Sequence, residues 1–230
     1  MEENVVKSRV DFVADQLIQI IITDELQAGD KLPNEFELAK LLNVGRSTIR
    51  EAMKKLESQN ILVIKQGSGT FISDKRGLVE DPMGLRFFKD KLKLAKDLLD
   101  IRMLIEPAIA EMAALNATTE DIEKIRYYSK KVEKDVANKV DHNKNDVLFH
   151  TAIANSSNNL VVPNLIPIIN KSINVITDVT HRELAELSVE HHREILEAIA
   201  NHDPISARDT MVLHIVYNRK HLNKILNDRL

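Results

Sequence analysis

The stretch LPNEFELAKLLNVGRSTIREAMKKLESQNILVIKQGSGTFI, residues 32–72, decides the fold of the first third of this chain. A short helix is predicted over residues 34–42 and a longer one over 46–59, with a tight turn at NVG between them. Two β-rich runs joined by GSG follow, and they are typical of a hairpin. An amphipathic helix, RVDFVADQLIQIIITDEL, precedes the stretch and is ended by Gly29 and Pro33. This order of helix, helix, turn, helix and hairpin predicts a winged helix-turn-helix.

The longer helix carries a basic stripe, because its cationic residues are spaced i, i+4 and i+8 opposite an apolar face. Arginine pairs bidentately with guanine O6 and N7, and small hydroxyl residues at a helix start can reach phosphate. The QGSG wing tip lacks side-chain bulk, which suits close approach to a groove. A basic stripe alone is also typical of an ordinary solvated helix face. The candidate DNA-binding residues are Arg46, Ser47, Thr48, Arg50, Lys54 and Gly67.

Bulk composition describes a folded protein and narrows the chemistry available to it. The chain has 230 residues, 43% of them hydrophobic, and a net charge of −3. The first 80 residues hold 11 Lys+Arg and 13 Asp+Glu, a balance of 11 − 13 = −2, so DNA binding requires positive charge concentrated on one face. Cysteine is absent, which excludes disulfides and thiolate ligands. Because no run of about 18 apolar residues occurs and the N-terminus is charged, we expect a cytoplasmic protein without a membrane partner.

Beyond the hairpin the sequence is helical in pattern. We predict a DNA-binding domain at 1–73, a linker at 74–94 and an all-α antiparallel helical bundle at 95–230, so the fold class is mostly α. Asp203 before Pro204 has the pattern of a helix N-cap and first helical residue.

Asp146 and His150 lie four residues apart on one predicted helix, a spacing that fits a surface pair or a capped histidine as well as half of a metal site. His192 and His214 are 22 residues apart, and a continuous helix would separate them by roughly 33 Å. The turn sequence NHDP lies almost midway, so an antiparallel hairpin returns His214 to the level of His192. Three histidines and a carboxylate suit a divalent transition metal, with Zn preferred and Ni or Mn as alternatives.

Other residues near these positions receive weaker assignments. Arg102 is either an ordinary salt-bridge partner of Glu106 or an anion-binding residue over the metal cavity. His191 points about 100° away from its neighbour on a helix, so we expect it to face solvent. The remaining histidines are expected to be structural, namely His142, His181, His202 and His221.

The first third resembles the DNA-binding domain of the GntR family of bacterial transcription regulators. The resemblance spans about residues 9–73 and is most specific at GRSTIREA and at the wing ending GSGTF. It implies that Arg46 and Arg50 read bases and that Gly67 lies near the minor groove. Phe36 departs from the pattern, because many members carry a DNA-contacting arginine there, which alters the expected operator preference.

The remainder resembles the FCD ligand-binding domain of the FadR-type subgroup of that family, over about residues 92–220. Its segments occur in order as DLLDIRMLIEPAIAEMAALNAT, NDVLFHTAIANSSNN, EHHREILEAI and ARDTMVLHI. The resemblance implies a full metal ligand set at Asp146, His150, His192 and His214. It also implies a homodimeric regulator, not an enzyme, that binds an inverted-repeat DNA operator under the control of a small carboxylate effector. A metal-dependent hydrolase and a direct metal-ion sensor are the rival interpretations.

Overall fold

The computed structural model describes residues 8–75, 77, 81, 83–180 and 185–227. The chain divides into two compact units, residues 1–83 and 84–230. Within the described ranges, no helix is both long and apolar enough to cross a membrane.

The first unit contains helices α1 (Arg9–Thr23), α2 (Glu35–Leu41) and α3 (Arg46–Ser58), followed by strands β1 (Leu62–Lys65) and β2 (Gly69–Ile72). The strands pair antiparallel, from Leu62 opposite Ile72 to Lys65 opposite Gly69. The predicted winged helix-turn-helix is therefore confirmed in element order.

Local chemistry explains where the short helix α2 begins. Asn34 accepts hydrogen bonds from the backbone N–H groups of Phe36 and Glu37, and the Glu37 side chain accepts one from the backbone N–H of Asn34. This reciprocal cap satisfies amide groups that lack partners inside the helix. Leu38 of α2 is fully buried against the same core as Ile49 and Leu56 of α3. The cap and the core contact together fix α2 against α3.

The second unit is a bundle of six helices in its described part, and this confirms the mostly α fold class. They are α4 (Lys91–Asn116), α5 (Thr119–Ala137), α6 (Asn143–Ser156), α7 (Ile166–Thr180), α8 (Ala185–Ala200) and α9 (Pro204–Asn227). The helix α4 begins before the predicted linker end at residue 94, because Asp90 caps it by accepting from the backbone N–H of Lys93. Residues 76, 78–80 and 82 of the predicted linker lie outside the described residues.

The turn between α8 and α9 lies where the NHDP sequence predicts it. Asp203 accepts a hydrogen bond from the backbone N–H of Ser206 at 3.0 Å, and Pro204 is the first residue of α9. Helix α9 packs on α8 and on α4, while α6 packs on α4 and α5. Buried apolar residues such as Phe149, Ile153, Ile195 and Ile215 join these helices in one core. Three separate helices therefore bring their histidines to the same core.

Candidate functional site

Three histidines from α6, α8 and α9 converge in the core of the second unit. The ring centroids of His150 and His192 are 5.5 Å apart, those of His150 and His214 5.3 Å, and those of His192 and His214 5.0 Å. One nitrogen from each ring lies within 4.8 Å of the others, and all three side chains are buried. Spacing of this kind suits three ligands around one ion.

Asp146 lies one helical turn before His150 and joins the cluster. Its Oδ1 atom lies 3.3 Å from Nε2 of His192, at an orientation that forms no hydrogen bond between them. The structure thus brings together all four residues that the sequence analysis proposed as metal ligands.

Several polar atoms of this cluster are buried without a hydrogen-bond partner among the described residues. They are Oδ1 of Asp146, both ring nitrogens of His192 and Nδ1 of His214. A buried polar atom without a partner costs about 1–3 kcal/mol, and native proteins seldom retain several together. A divalent cation would satisfy lone pairs of this kind, so the donor set fits a metal.

Burial also keeps the imidazoles of His192 and His214 in the form that can act as ligands. Desolvation, followed by the nearby charge of His150 and Arg102, holds the pKa of His192 well below its usual value. The pKa of His214 is lowered in the same way, first by burial and then by its histidine neighbours. A neutral imidazole presents a free lone pair, which is what metal coordination requires.

A buried ion pair from α4 lies against the histidines. Nε of Arg102 donates to Oε1 of Glu106, and its Nη2 donates to Oε2 at 3.3 Å. Oε2 of Glu106 lies 2.8 Å from Nδ1 of His150, and Nη2 of Arg102 lies 3.4 Å from Nε2 of the same ring. Burial raises the pKa of the Glu106 carboxyl, but Arg102 and His150 outweigh burial and lower it. Glu106 is therefore an ionised carboxylate inside the core.

This role of Glu106 was not predicted from the sequence, where Glu106 was expected only as a salt-bridge partner of Arg102. The salt bridge does form, and it places Arg102 beside the histidine cluster at the same time. The i, i+4 spacing of the two residues was the available signal. It did not reveal that both side chains point into the core.

The expectation that His191 faces solvent is wrong. Its side chain is buried, with its ring centroid 5.9 Å from that of His214 and 5.0 Å from that of Tyr217. Helix α8 packs on α4, α5 and α9, so two adjacent positions are both covered. Desolvation accordingly lowers the pKa of His191.

Among the described residues, the ring nitrogens of the other histidines do not join the group formed by His150, His192 and His214. Nδ1 of His202 lies 2.8 Å from the carbonyl oxygen of Ala114, and His142 is buried at the start of α6. His221 is half-buried on α9, while His181 lies outside the described residues.

In the first unit, the basic stripe lies on the solvent side of α3. The side chains of Arg46, Arg50 and Lys54 are 62%, 52% and 59% exposed, opposite the buried residues of the helix. Ser47 and Thr48 are in the first turn of the helix. At the wing, Gly67 adopts a φ of +76° with no heavy atom within 4 Å of the position that a Cβ would occupy. The six DNA-binding candidates are therefore on accessible surface.

One residue at this surface was not anticipated. Glu35, the first residue of α2, accepts hydrogen bonds from Nε and Nη2 of Arg50 at 2.9 and 2.7 Å. Nη2 of Arg46 lies 3.8 Å from the same carboxylate. The hydrogen bond with Arg50 is the main cause that lowers the pKa of Glu35.

Comparison with known proteins places both units in described families. Residues 9–72 match the model of bacterial regulatory proteins, gntR family, and residues 97–217 match the FCD domain. The chain is 30% identical to the uncharacterized HTH-type transcriptional regulator YcbG of Bacillus subtilis, over 94% of this chain and 91% of the relative. It is 32% identical to a putative L-lactate dehydrogenase operon regulatory protein of Escherichia coli, over 90% and 83% of the two chains.

A solved structure is also similar along nearly its whole length. The structure titled Streptococcus agalactiae GntR superimposes with a TM-score of 0.83 at 42% identity, covering 92% of this chain and 99% of that one. The matched families and relatives are those of transcription regulators and not of enzymes. This chain therefore belongs to the GntR family of bacterial transcription regulators, with a DNA-binding winged helix-turn-helix followed by an FCD domain.

Proposed function

We propose that this regulator is a homodimer whose operator binding is controlled by a small carboxylate effector at a metal centre in the FCD domain. The observation that carries the proposal is the convergence of His150, His192, His214 and Asp146 with several of their buried polar atoms unpaired. Four ligands from three helices would make metal binding and correct packing of the bundle mutually dependent.

Zinc is the preferred metal, with nickel or manganese as alternatives, because the ligands are imidazole nitrogens and a carboxylate oxygen. A bound divalent cation supplies a positive centre at which a carboxylate oxygen can be held. Glu106, at 2.8 Å from Nδ1 of His150, would orient that ring, as outer carboxylates commonly do at histidine metal sites.

Arg102 is the proposed anchor for the effector. Its contacts with Glu106 use Nε and Nη2, so the donors of Nη1 are the ones proposed to pair with an incoming carboxylate. The low local dielectric strengthens such a pair, because few waters compete for the charge. The name of the Escherichia coli relative, which refers to an L-lactate dehydrogenase operon, agrees with a small hydroxy acid as effector.

On the DNA side, Arg46 and Arg50 are proposed to read bases, Ser47, Thr48 and Lys54 to contact phosphate, and Gly67 to approach the minor groove. One winged domain offers few base contacts, so a two-fold symmetric dimer on an inverted repeat would double them.

Calorimetry on three forms of the full chain tests the effector site. We expect one acid from a panel of L-lactate, other hydroxy acids, sugar acids and dicarboxylates to bind the metal-loaded protein. Removing the metal should weaken that binding, and Arg102→Ala should weaken it while elemental analysis still finds the metal. Equal affinity in all three forms would place the effector elsewhere.

Direct metal sensing remains a second candidate, because the same cluster would serve it. The two differ in what changes operator affinity. A sensor of carboxylates responds to the acid when metal is held constant, whereas a metal sensor responds to the cation alone.

A further inference from the structure

Glu35 contacts Arg50 of helix α3 with a specific geometry. Glu35 and Arg50 are joined by two hydrogen bonds, although they belong to different helices, α2 and α3. The Glu35 side chain is only 29% exposed, whereas that of Arg50 is 52% exposed. The Glu35 carboxylate therefore holds the Arg50 guanidinium from its less exposed side.

The atoms involved decide which donors remain for a ligand. A guanidinium has five N–H donors, grouped in a side edge of Nε and Nη2 and an end edge of Nη1 and Nη2. Glu35 takes the side edge, with Oε1 on Nε and Oε2 on Nη2. The end edge keeps two parallel N–H groups, the pattern that matches O6 and N7 of guanine in the major groove.

We propose that Glu35 is a positioning residue for base recognition: it fixes the Arg50 guanidinium so that its end edge reads a guanine in each half-site. This inference rests on the proposed role of α3 as the reading helix. Glu35 itself would touch no base.

The start of helix α2, which carries Glu35, is held in place by a cap and by a core contact. Asn34 caps α2 directly before it, and Leu38, one turn later, is fully buried. A carboxylate on such a rigid element restrains a long arginine side chain before DNA arrives, so less side-chain freedom is lost on binding. Nη2 of Arg46 lies 3.8 Å from the same carboxylate, so the two charges attract each other. Arg46 does not form the pair of hydrogen bonds that Arg50 forms.

Removing the Glu35 carboxylate should affect non-specific DNA affinity and base discrimination differently. A carboxylate near DNA repels phosphates, so its removal should leave affinity for unrelated DNA unchanged or raise it. Discrimination at the guanine read by Arg50 should fall at the same time. A residue that merely supported the fold would weaken binding to all sequences alike.

The experiment uses full-length wild type, Glu35→Gln, Arg50→Ala and the matched control Glu51→Gln. Glu51 is an exposed acid on α3 that pairs with Lys54 at 3.6 Å. Its variant therefore removes the same charge while the two hydrogen bonds between Glu35 and Arg50 stay in place. Each protein selects from a library of duplexes with a randomised core. Affinities are then measured for the selected duplex, for its single-position variants and for a shuffled duplex, with thermal denaturation to confirm folding.

Arg50→Ala identifies the position at which guanine is read. At that position we expect Glu35→Gln to lower the preference for guanine several-fold, up to about tenfold, with shuffled-duplex affinity equal to or above that of wild type. Glu51→Gln should keep the wild-type preference. If Glu35→Gln keeps the wild-type preference for guanine, with or without a gain in overall affinity, the inference is overturned. Glu35 would then only compete with DNA for the Arg50 guanidinium.

Failure of the underlying proposal looks different. A wild-type protein that selects no sequence, or an Arg50→Ala variant that loses preference at no position, would refute base reading by α3, and the role of Glu35 would fall with it.

Discussion

At the scale of single residues, the buried histidines of the FCD domain set a balance between stability and ligand binding. His192 and His214 place unpaired nitrogens in the core, which disfavours the folded state without a ligand. A cation that binds only the folded state reverses this penalty, since stabilisation grows with the ratio of free metal to its dissociation constant. Metal content and thermal stability should therefore change together.

Replacing His192 or His214 by alanine should reduce metal content and lower the melting temperature of the second unit, while the first unit stays folded. The chain has no tryptophan, and its three tyrosines are Tyr127, Tyr128 and Tyr217, so tyrosine fluorescence reports the second unit alone. Hydrogen exchange of α1 to α3 reports the first. Elemental analysis on tag-free protein purified without chelators gives the metal content.

His202→Ala is the control for the histidine variants, because His202 contacts the Ala114 carbonyl and not the cluster. It should retain metal. Wild-type protein that contains no metal and takes up none would remove the metal centre from the proposal.

The Arg102–Glu106 pair gives a second test at this scale. Removing one partner of a buried ion pair leaves the other charge uncompensated, so Glu106→Gln should destabilise the metal-free protein by about 3–5 kcal/mol. Replacing both residues removes both charges, so Arg102→Met combined with Glu106→Gln should cost less than Glu106→Gln alone. Urea denaturation of Arg102→Met, Glu106→Gln, the double variant and wild type completes the double-mutant cycle. A double variant as unstable as the sum of its parts would mean that the two charges are not coupled.

Site residues could be predicted where local sequence patterns fix their positions, and could not be predicted where their contacts depend on the packing of distant helices. The convergence of four residues could be predicted because helical spacing and one turn sequence fix their level in the bundle, namely Asp146, His150, His192 and His214. The contact of Glu106 with His150 spans 44 residues and depends on how α4 packs on α6, which no local pattern encodes. The predicted solvent exposure of His191 was wrong for a related reason. An angle of about 100° from His192 indicates exposure only if the helix has a single buried face, and α8 packs on three other helices.

At the scale of elements, sequence patterns were most informative where capping chemistry is local. The start of α9 follows from Asp203 before Pro204, because the Asp203 side chain accepts from the backbone N–H of Ser206. The start of α4 was placed too late because its cap, Asp90, lies in a charged segment without clear periodicity. The pairing of α2 with α3 through Glu35 is again tertiary, and it escaped detection.

Helix α3, which we propose as the helix that reads bases, gives the prediction at this scale. Arg46→Ala or Arg50→Ala should cost about 1–3 kcal/mol of operator binding and relax specificity at one position in each half-site. Lys54→Ala is the matched comparison, because loss of a phosphate contact should weaken binding to all sequences alike and reduce the salt slope by about 1. Titrations at several salt concentrations separate the two behaviours. Unchanged affinity and preference in both arginine variants would contradict the assignment of α3.

At the scale of the whole molecule, an effector regulates DNA binding only if it binds one state of the protein more tightly than another. The coupling free energy is then shared by both ligands, so the effector changes operator affinity by the same factor as the operator changes effector affinity. This reciprocity applies whether the effector releases the operator or promotes its binding. It therefore allows the proposed regulation to be tested without knowing its direction.

We expect the acid that binds best in the carboxylate panel to shift operator affinity about 5–150-fold, corresponding to a coupling of about 1–3 kcal/mol. Calorimetric titration of that acid, with and without saturating operator duplex, should return the same factor as DNA titrations with and without the acid. Metal-free protein and Arg102→Ala should lose most of the shift yet still bind the operator, because the reading residues belong to the other unit. Equal acid affinity with and without operator in the metal-loaded wild type would show that the FCD site and DNA binding are uncoupled, even if the acid binds where we propose.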